Sequence, residues 1–228
     1  MARTLNVEVH AVRRDAFVDA AQRLIQAHGY EQVSVQDVLD EVDASRGAFY
    51  HYFDSKAALL DAVIERMVED SLEAVRPIVA DPDLTAIEKL DGVFAGIARW
   101  KGERTELMLA VLEAWQADDN AIVRDKLRQG VARRLTPVLA TILEQGAAEG
   151  TFTISSPTHS ARVLVSLLQG ANEAAVELWF ARRAGTIPFE AVEPTLGAYR
   201  EALERILGLT TPWSLLSIDG PTLHKWFD

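Results

Sequence analysis

A helix that begins at Arg46 sets Arg46, Gly47, Tyr50 and His51 on one side, because residues four apart share a helical face. A guanidinium, a phenol, an imidazole and a residue with no side chain make a surface that hydrogen-bonds and lets a partner approach closely. Such groups suit phosphate oxygens and base edges. Ser34 and Ser45 stand where two helices should start, and their hydroxyls, with the backbone N–H groups behind them, suit phosphate as well. Lys56 opens a further helix and adds a cation.

These groups need two short helices and a tight turn to hold them. Ser34 with Asp37 three residues later is an acidic capping box, so a helix should begin at Val35. Val35, Val38, Leu39 and Val42 give that helix an apolar face, and Asp43-Ala44 follow as a turn. Ser45 caps the second helix, whose Phe49 and Phe53 fall four apart on the inward side. Helix, turn and helix with hydrogen-bonding groups outward is the helix-turn-helix, whose second helix lies in the DNA major groove.

The run from Ser45 to Lys56, with Gly47, Phe49, Tyr50, Phe53 and Lys56 in place after Val33-Ser34-Val35-Gln36-Asp37-Val38, resembles the signature of TetR-type (tetracycline-repressor-like) transcriptional regulators. The motif covers the first quarter of the chain. The resemblance implies that Tyr50, His51 and Lys56 clamp the DNA backbone and that Gln36, Arg46 and Gly47 reach base edges. Arg46 suits a bidentate contact to guanine or a phosphate contact equally. Gly47 either admits the groove floor or is simply a weak helix residue.

Composition narrows the remaining classes. The chain has 228 residues, enough for one or two domains with a sizeable core. It has no cysteine, which removes disulfides, thiolate metal sites and cysteine nucleophiles. His10, His28, His51, His159 and His224 form no metal-spaced pair, and no hydrolase motif or phosphate-binding glycine loop is present, so neither an enzyme nor a cofactor is expected. No apolar run approaches a membrane span and Met1-Ala2-Arg3-Thr4 is not a signal peptide, so a soluble, cytoplasmic protein is expected. Charge opposes the DNA reading: 23 Lys+Arg against 34 Asp+Glu leave a net charge of −11. Residues 1 to 56 carry six Lys/Arg and nine Asp/Glu. What DNA meets is local surface, so Arg13, Arg14, Arg46 and Lys56 are expected on the DNA side, with Asp19, Glu31, Asp40 and Glu41 elsewhere.

The expected fold is all-α. Residues 1 to 12 read as a loose arm, and a first helix should run from about Arg13 to His28, with Phe17, Ala20, Ala21, Leu24 and Ile25 buried and Gly29 closing it. With the two motif helices it makes a three-helix DNA-binding domain over residues 1 to 56. A fourth helix, Lys56 to about Arg76 with Pro77 as its stop, joins that domain to a helical ligand-binding and dimerisation domain over residues 57 to 208. Further helices should cover Thr85 to Trp100, Leu107 to Trp115, and Ile122 to Glu149, the last bent or interrupted at Pro137.

Residues 158 to 183 are apolar round most of the helix, broken by a polar stripe of Arg162, Ser166, Gln169, Glu173 and Glu177. Such a helix must be buried on more than one side. Val192 to Leu207 repeats apolar residues at four-three spacing, a bundle seam. The resemblance implies that these last two helices pair with their copies in a homodimer through Leu164, Leu168, Ala171, Ala175, Leu196, Tyr199, Leu203 and Ile206, reading a palindromic operator on double-stranded DNA. It also implies a small-molecule inducer pocket. Its candidates, Phe94, Trp100, Met108, Leu112, Trp115, Gln169, Asn172 and Glu173, favour an apolar or aromatic ligand. Residues 209 to 228 form an apolar tail expected to pack back on the ligand domain of its own or the partner chain. The competing class is a helical dimeric ligand-binding or scaffold protein without specific DNA binding.

Overall fold

The computed structural model describes residues 2 to 116, 121 to 209 and 227, and among them every regular element is a helix. The order is α1 (Ala2–His28), α2 (Val35–Glu41), α3 (Arg46–Tyr52), α4 (Lys56–Glu73), α5 (Arg76–Ala80), α6 (Ala86–Gly102), α7 (Thr105–Gln116), α8 (Ala121–Glu149), α9 (Pro157–Arg183) and α10 (Val192–Leu207). The all-α expectation therefore holds. Three boundaries differ. The stretch before Arg13 is not a loose arm, since α1 begins at Ala2. Pro77 does not stop a long helix. After α4 ends at Glu73, it sits in the first turn of α5, where a missing N–H costs nothing. Pro137 lies inside one continuous helix, α8, so of the two expected alternatives the interruption is absent.

The chain divides into two compact units, and the division does not fall at residue 56. One unit is Met1–Ser71 with Arg99–Gly130, and the other is Leu72–Ala98 with Val131–Asp228. In the first, Phe17, Ala20, Ala21 and Ile25 of α1 pack with Val38 and Leu39 of α2, Phe49 of α3 and Leu59, Leu60, Val63, Ile64 and Met67 of α4. Trp100, Leu107, Ala110 and Val111 complete the same core. The helix-turn-helix is thus set on a larger apolar foundation than three helices could supply.

In the second unit, Val75, Leu90, Val93, Leu139, Ile142, Leu143, Phe152, Leu164, Leu203 and Leu207 form one core. The start of α6 is capped twice. Thr85 and Glu88 exchange hydrogen bonds in a capping box, and the carboxylate at the end of α8, Glu149, accepts the Ala86 N–H at 3.0 Å. Gly208, at φ 65°, turns the chain out of α10 in the left-handed conformation that glycine reaches without strain. A smaller cluster, Val192 and Leu196 with Ala175, Leu178 and Phe189, is joined by Phe227. Leu209 packs against the second core, and the rest of the apolar tail, Leu215, Leu216 and Trp226 among it, lies outside the described residues.

Capping carboxylates make this fold sensitive to acid. Backbone and hydroxyl donors at Ser34 hold Asp37 below the ordinary carboxylate range, the Thr85 hydroxyl and N–H do so for Glu88, and the Ala86 N–H leads for Glu149. Each lowered folded-state pKa means stability that is present at neutral pH and lost as pH falls through the carboxylate range, from about pH 5 downward. The melting temperature should therefore drop on acidification, and the Asp37→Asn variant should show a shallower drop. A melting curve independent of pH between about 6 and 3 would contradict this.

Candidate nucleic-acid interface

The two motif helices are fixed by their caps and by the turn between them. Ser34 accepts the Asp37 N–H at 3.2 Å, and Asp37 Oδ2 accepts both the Ser34 N–H and its hydroxyl at 2.7 Å. An internal carboxylate thus occupies the start of α2, and a phosphate seeking Ser34 would have to displace it. Ser45 accepts the Ala48 N–H at 3.2 Å, and because the residue at that third position is alanine, no carboxylate returns to the start of α3. Asp43 makes the turn at φ 48°, the left-handed region that a short polar side chain tolerates. The Ala44 N–H then reaches back to the Leu39 carbonyl at 3.0 Å.

Two phenylalanines set the rotation of α3. Phe49 is fully buried and Phe53 nearly so, and the Phe17 ring meets both edge-on with centroids 5.8 and 6.2 Å away. Their burial turns Arg46, Gly47, Tyr50 and His51 to solvent, and Tyr50 is 49 % exposed. Nothing inside the protein requires the glycine at 47. A Cβ built there meets only the Ser45 hydroxyl, at 3.9 Å. Replacing Gly47 by alanine should leave the fold intact or stabilise it by up to about 1 kcal/mol, while the added methyl hinders whatever docks against α3. Melting and duplex-binding curves moving in opposite directions would show this, and unchanged affinity would remove the role given to Gly47.

The remaining residues lie around that face. Gln36 is exposed and donates to Asp40 along α2 at 2.8 Å. Lys56 rests with its Nζ 4.0 Å over the Tyr30 ring, where burial lowers its pKa against the opposing pull of Glu31 and Asp37. The Arg14 guanidinium lies 5.3 Å from the Phe53 ring centroid. Two acids expected to stand apart are matched by arginines: Glu41 by Arg23 at 3.1 Å, and Asp19 by Arg66, which also donates to Gln22 at 2.5 Å. Arg66, from outside the first 56 residues, thus offsets one of their surplus acids, whereas the Arg23–Glu41 pair leaves their net charge unchanged. Sequence reasoning passed over Tyr52 and Tyr30. Tyr52 is half-buried between Phe17 and His10, and Tyr30 carries Lys56. The signal for His10 was its place four and seven residues before Arg14 and Phe17 on one helical face.

The ligand candidates fall in both units. Trp100 is buried in the first core with Met108 packed against it, and the Arg104 guanidinium lies 4.5 Å from the Trp100 ring. Leu112 is half-buried, and the Trp115 side chain lies outside the described residues. Phe94 packs against the second core, Gln169 is half-buried, and Asn172 and Glu173 are exposed on α9. Among the residues expected between two copies, Leu164, Leu196 and Leu203 are filled into their own chain's core, at 3, 7 and 3 % exposure. Leu168, Ala171, Ala175, Tyr199 and Ile206 remain half-buried, and Val163 on α9 is 49 % exposed.

Among the described residues no group of side chains could hold a metal ion, and no helix is long and apolar enough to cross a membrane. Comparison with known proteins agrees with the motif. The family described as "Bacterial regulatory proteins, tetR family" matches residues 17–63, a family of regulators and not of enzymes. A transcriptional regulator of Lactococcus lactis subsp. lactis is 38 % identical over 65 residues, which are 28 % of this chain and 33 % of that protein. The transcriptional repressor KstR2 of Rhodococcus jostii (strain RHA1) is 25 % identical over 150 residues, 61 % of this chain and 68 % of its own. BetI of Agrobacterium fabrum is 31 % identical over 112 residues, 49 % of this chain and 46 % of its own. The chain thus spans from a third to about two thirds of these relatives' lengths. Solved structures extend the likeness of fold. RolR in complex with resorcinol aligns with a TM-score of 0.64 at 18 % identity over 93 % of this chain and 97 % of that one. A TetR regulator of Haloarcula marismortui aligns at 0.59 with 24 % identity over 87 % and 97 %. The capped helix-turn-helix within residues 17–63 thus matches the tetR family of bacterial regulatory proteins, and the all-helical frame around it has the fold of solved TetR structures.

Proposed function

We propose that the protein is a cytoplasmic transcriptional regulator that binds double-stranded DNA as a homodimer, reads a palindromic operator with α3, and represses until a small molecule releases it. The observation that carries this reading is the face of α3. Buried Phe49 and Phe53 hold Arg46, Gly47, Tyr50 and His51 outward, on a helix whose glycine has no internal use. A major groove accepts such a helix, and two copies on a two-fold axis would read two half-sites. Self-association is supported by the apolar residues that α9 and α10 leave half-exposed, Leu168, Ala171, Ala175 and Ile206 with Val163 beside them. Repression is supported by relatives named as repressors. An apolar or aromatic inducer is supported by RolR, which has been solved with the aromatic resorcinol. A ligand acts by preferring one dimer geometry over another, so occupancy and operator affinity trade against each other.

Selection of bound sequences from random duplex DNA tests the proposal, with Tyr50→Ala as the control. A palindrome enriched by the wild type and lost in the variant is expected. A folded dimer that enriches nothing would instead be a helical ligand-binding or scaffold protein.

A further inference from the structure

His10, in the third turn of α1, lies beside the end of the recognition helix. The His10 ring lies 4.5 Å from the Tyr52 ring and 5.3 Å from that of His51, and those two rings are 5.0 Å apart. Tyr52 is in turn 5.8 Å from the buried Phe17. A continuous run of rings therefore leads from the core to the exposed imidazole in the last turn of α3. His51 alone, on an exposed final helical turn, would sample several rotamers. A ring wedged against it removes that freedom before any partner arrives. His10 is itself exposed, so its packing serves the surface and not the core.

We infer that His10 is a positioning residue for the DNA contact made by His51, acting by ring packing and without touching DNA. This rests on the proposal that α3 binds DNA. Ordering one side chain in advance, together with one aromatic pair, is worth about a three- to tenfold change in affinity.

The test measures binding of the wild type, His10→Ala, His10→Phe and His51→Ala to the selected duplex across a range of salt concentrations, alongside the proton NMR signal of the His51 ring in the DNA-free protein. His10→Ala should bind three- to tenfold more weakly, His10→Phe should recover to within about twofold, and both should keep the wild-type salt slope. His51→Ala should lower that slope by about one for each phosphate that the imidazole no longer reaches. The His51 ring signal should move in His10→Ala, since a neighbouring ring current has gone. An unmoved ring signal would overturn the stack itself, with no reference to DNA. A moved signal with wild-type affinity in His10→Ala would overturn the positioning role. Loss of affinity and of salt slope in His10→Phe would overturn it too, by making His10 a direct phosphate contact. A wild type that binds no duplex while its ring signal still moves would sink the DNA reading and, with it, the role of His10.

Discussion

Tyr50→Ala should weaken specific duplex binding about a hundredfold while the protein melts within a few degrees of the wild type. The phenol stands half out of the surface, and its ring meets that of buried Phe49 at right angles, 5.3 Å between centroids. Little apolar burial disappears with it. What the variant lacks is a rigid aromatic hydroxyl on the outward face of α3, held in place by a helix whose rotation the phenylalanines have already fixed. If the contact is worth a factor of ten in each protomer, a symmetric dimer loses about a hundredfold, or about 3 kcal/mol. Titration of a labelled duplex with both proteins measures it, and equal affinity would remove Tyr50 from the interface.

One residue earlier the expectation reverses. Phe49→Ala should cost the fold about 3 to 5 kcal/mol, as large aromatic truncations in a closed core do. Phe49 is 0 % exposed and packs its ring against Phe17 at 5.8 Å and Phe53 at 5.7 Å. Such a loss is a large share of the roughly 5 to 15 kcal/mol that a domain commonly has. DNA binding should disappear with the fold, and denaturant unfolding separates this from the Tyr50 effect. A loss below about 1 kcal/mol would mean that the site collapses around the gap and that α3 is held by something else.

The helix-turn-helix was legible because its signals are local. Ser34 finds Asp37, and Ser45 the Ala48 amide, three residues away, and Phe49 and Phe53 mark the inward face within one turn. Its wider foundation was not legible. Trp100, Leu107 and Val111 join the first core from far along the chain, which no local period announces, so the division at residue 56 did not foresee a unit containing α7. The start of α1 escaped for a different reason. Exposed Ala11, Val12 and Arg13 show no apolar stripe there, so only the polar His10 kept helical spacing with Arg14 and Phe17, and it meets partners that only folding brings near. On α9 and α10 the apolar pattern predicted burial, and within this chain only some of it is buried, Leu164, Val165 and Leu203 among it. It did not separate Leu164 and Leu203, which fill their own chain, from the half-exposed residues beside them, because both kinds are simply apolar in the sequence.

The assignment of α3 as a sequence reader is tested most directly by the ratio of specific to non-specific duplex affinity, measured for wild type and Arg46→Ala at one moderate salt concentration. A wild-type ratio of about a thousand or more is expected, with the variant losing discrimination at one base pair of each half-site. A wild-type ratio near one would contradict the assignment, whatever the affinity itself.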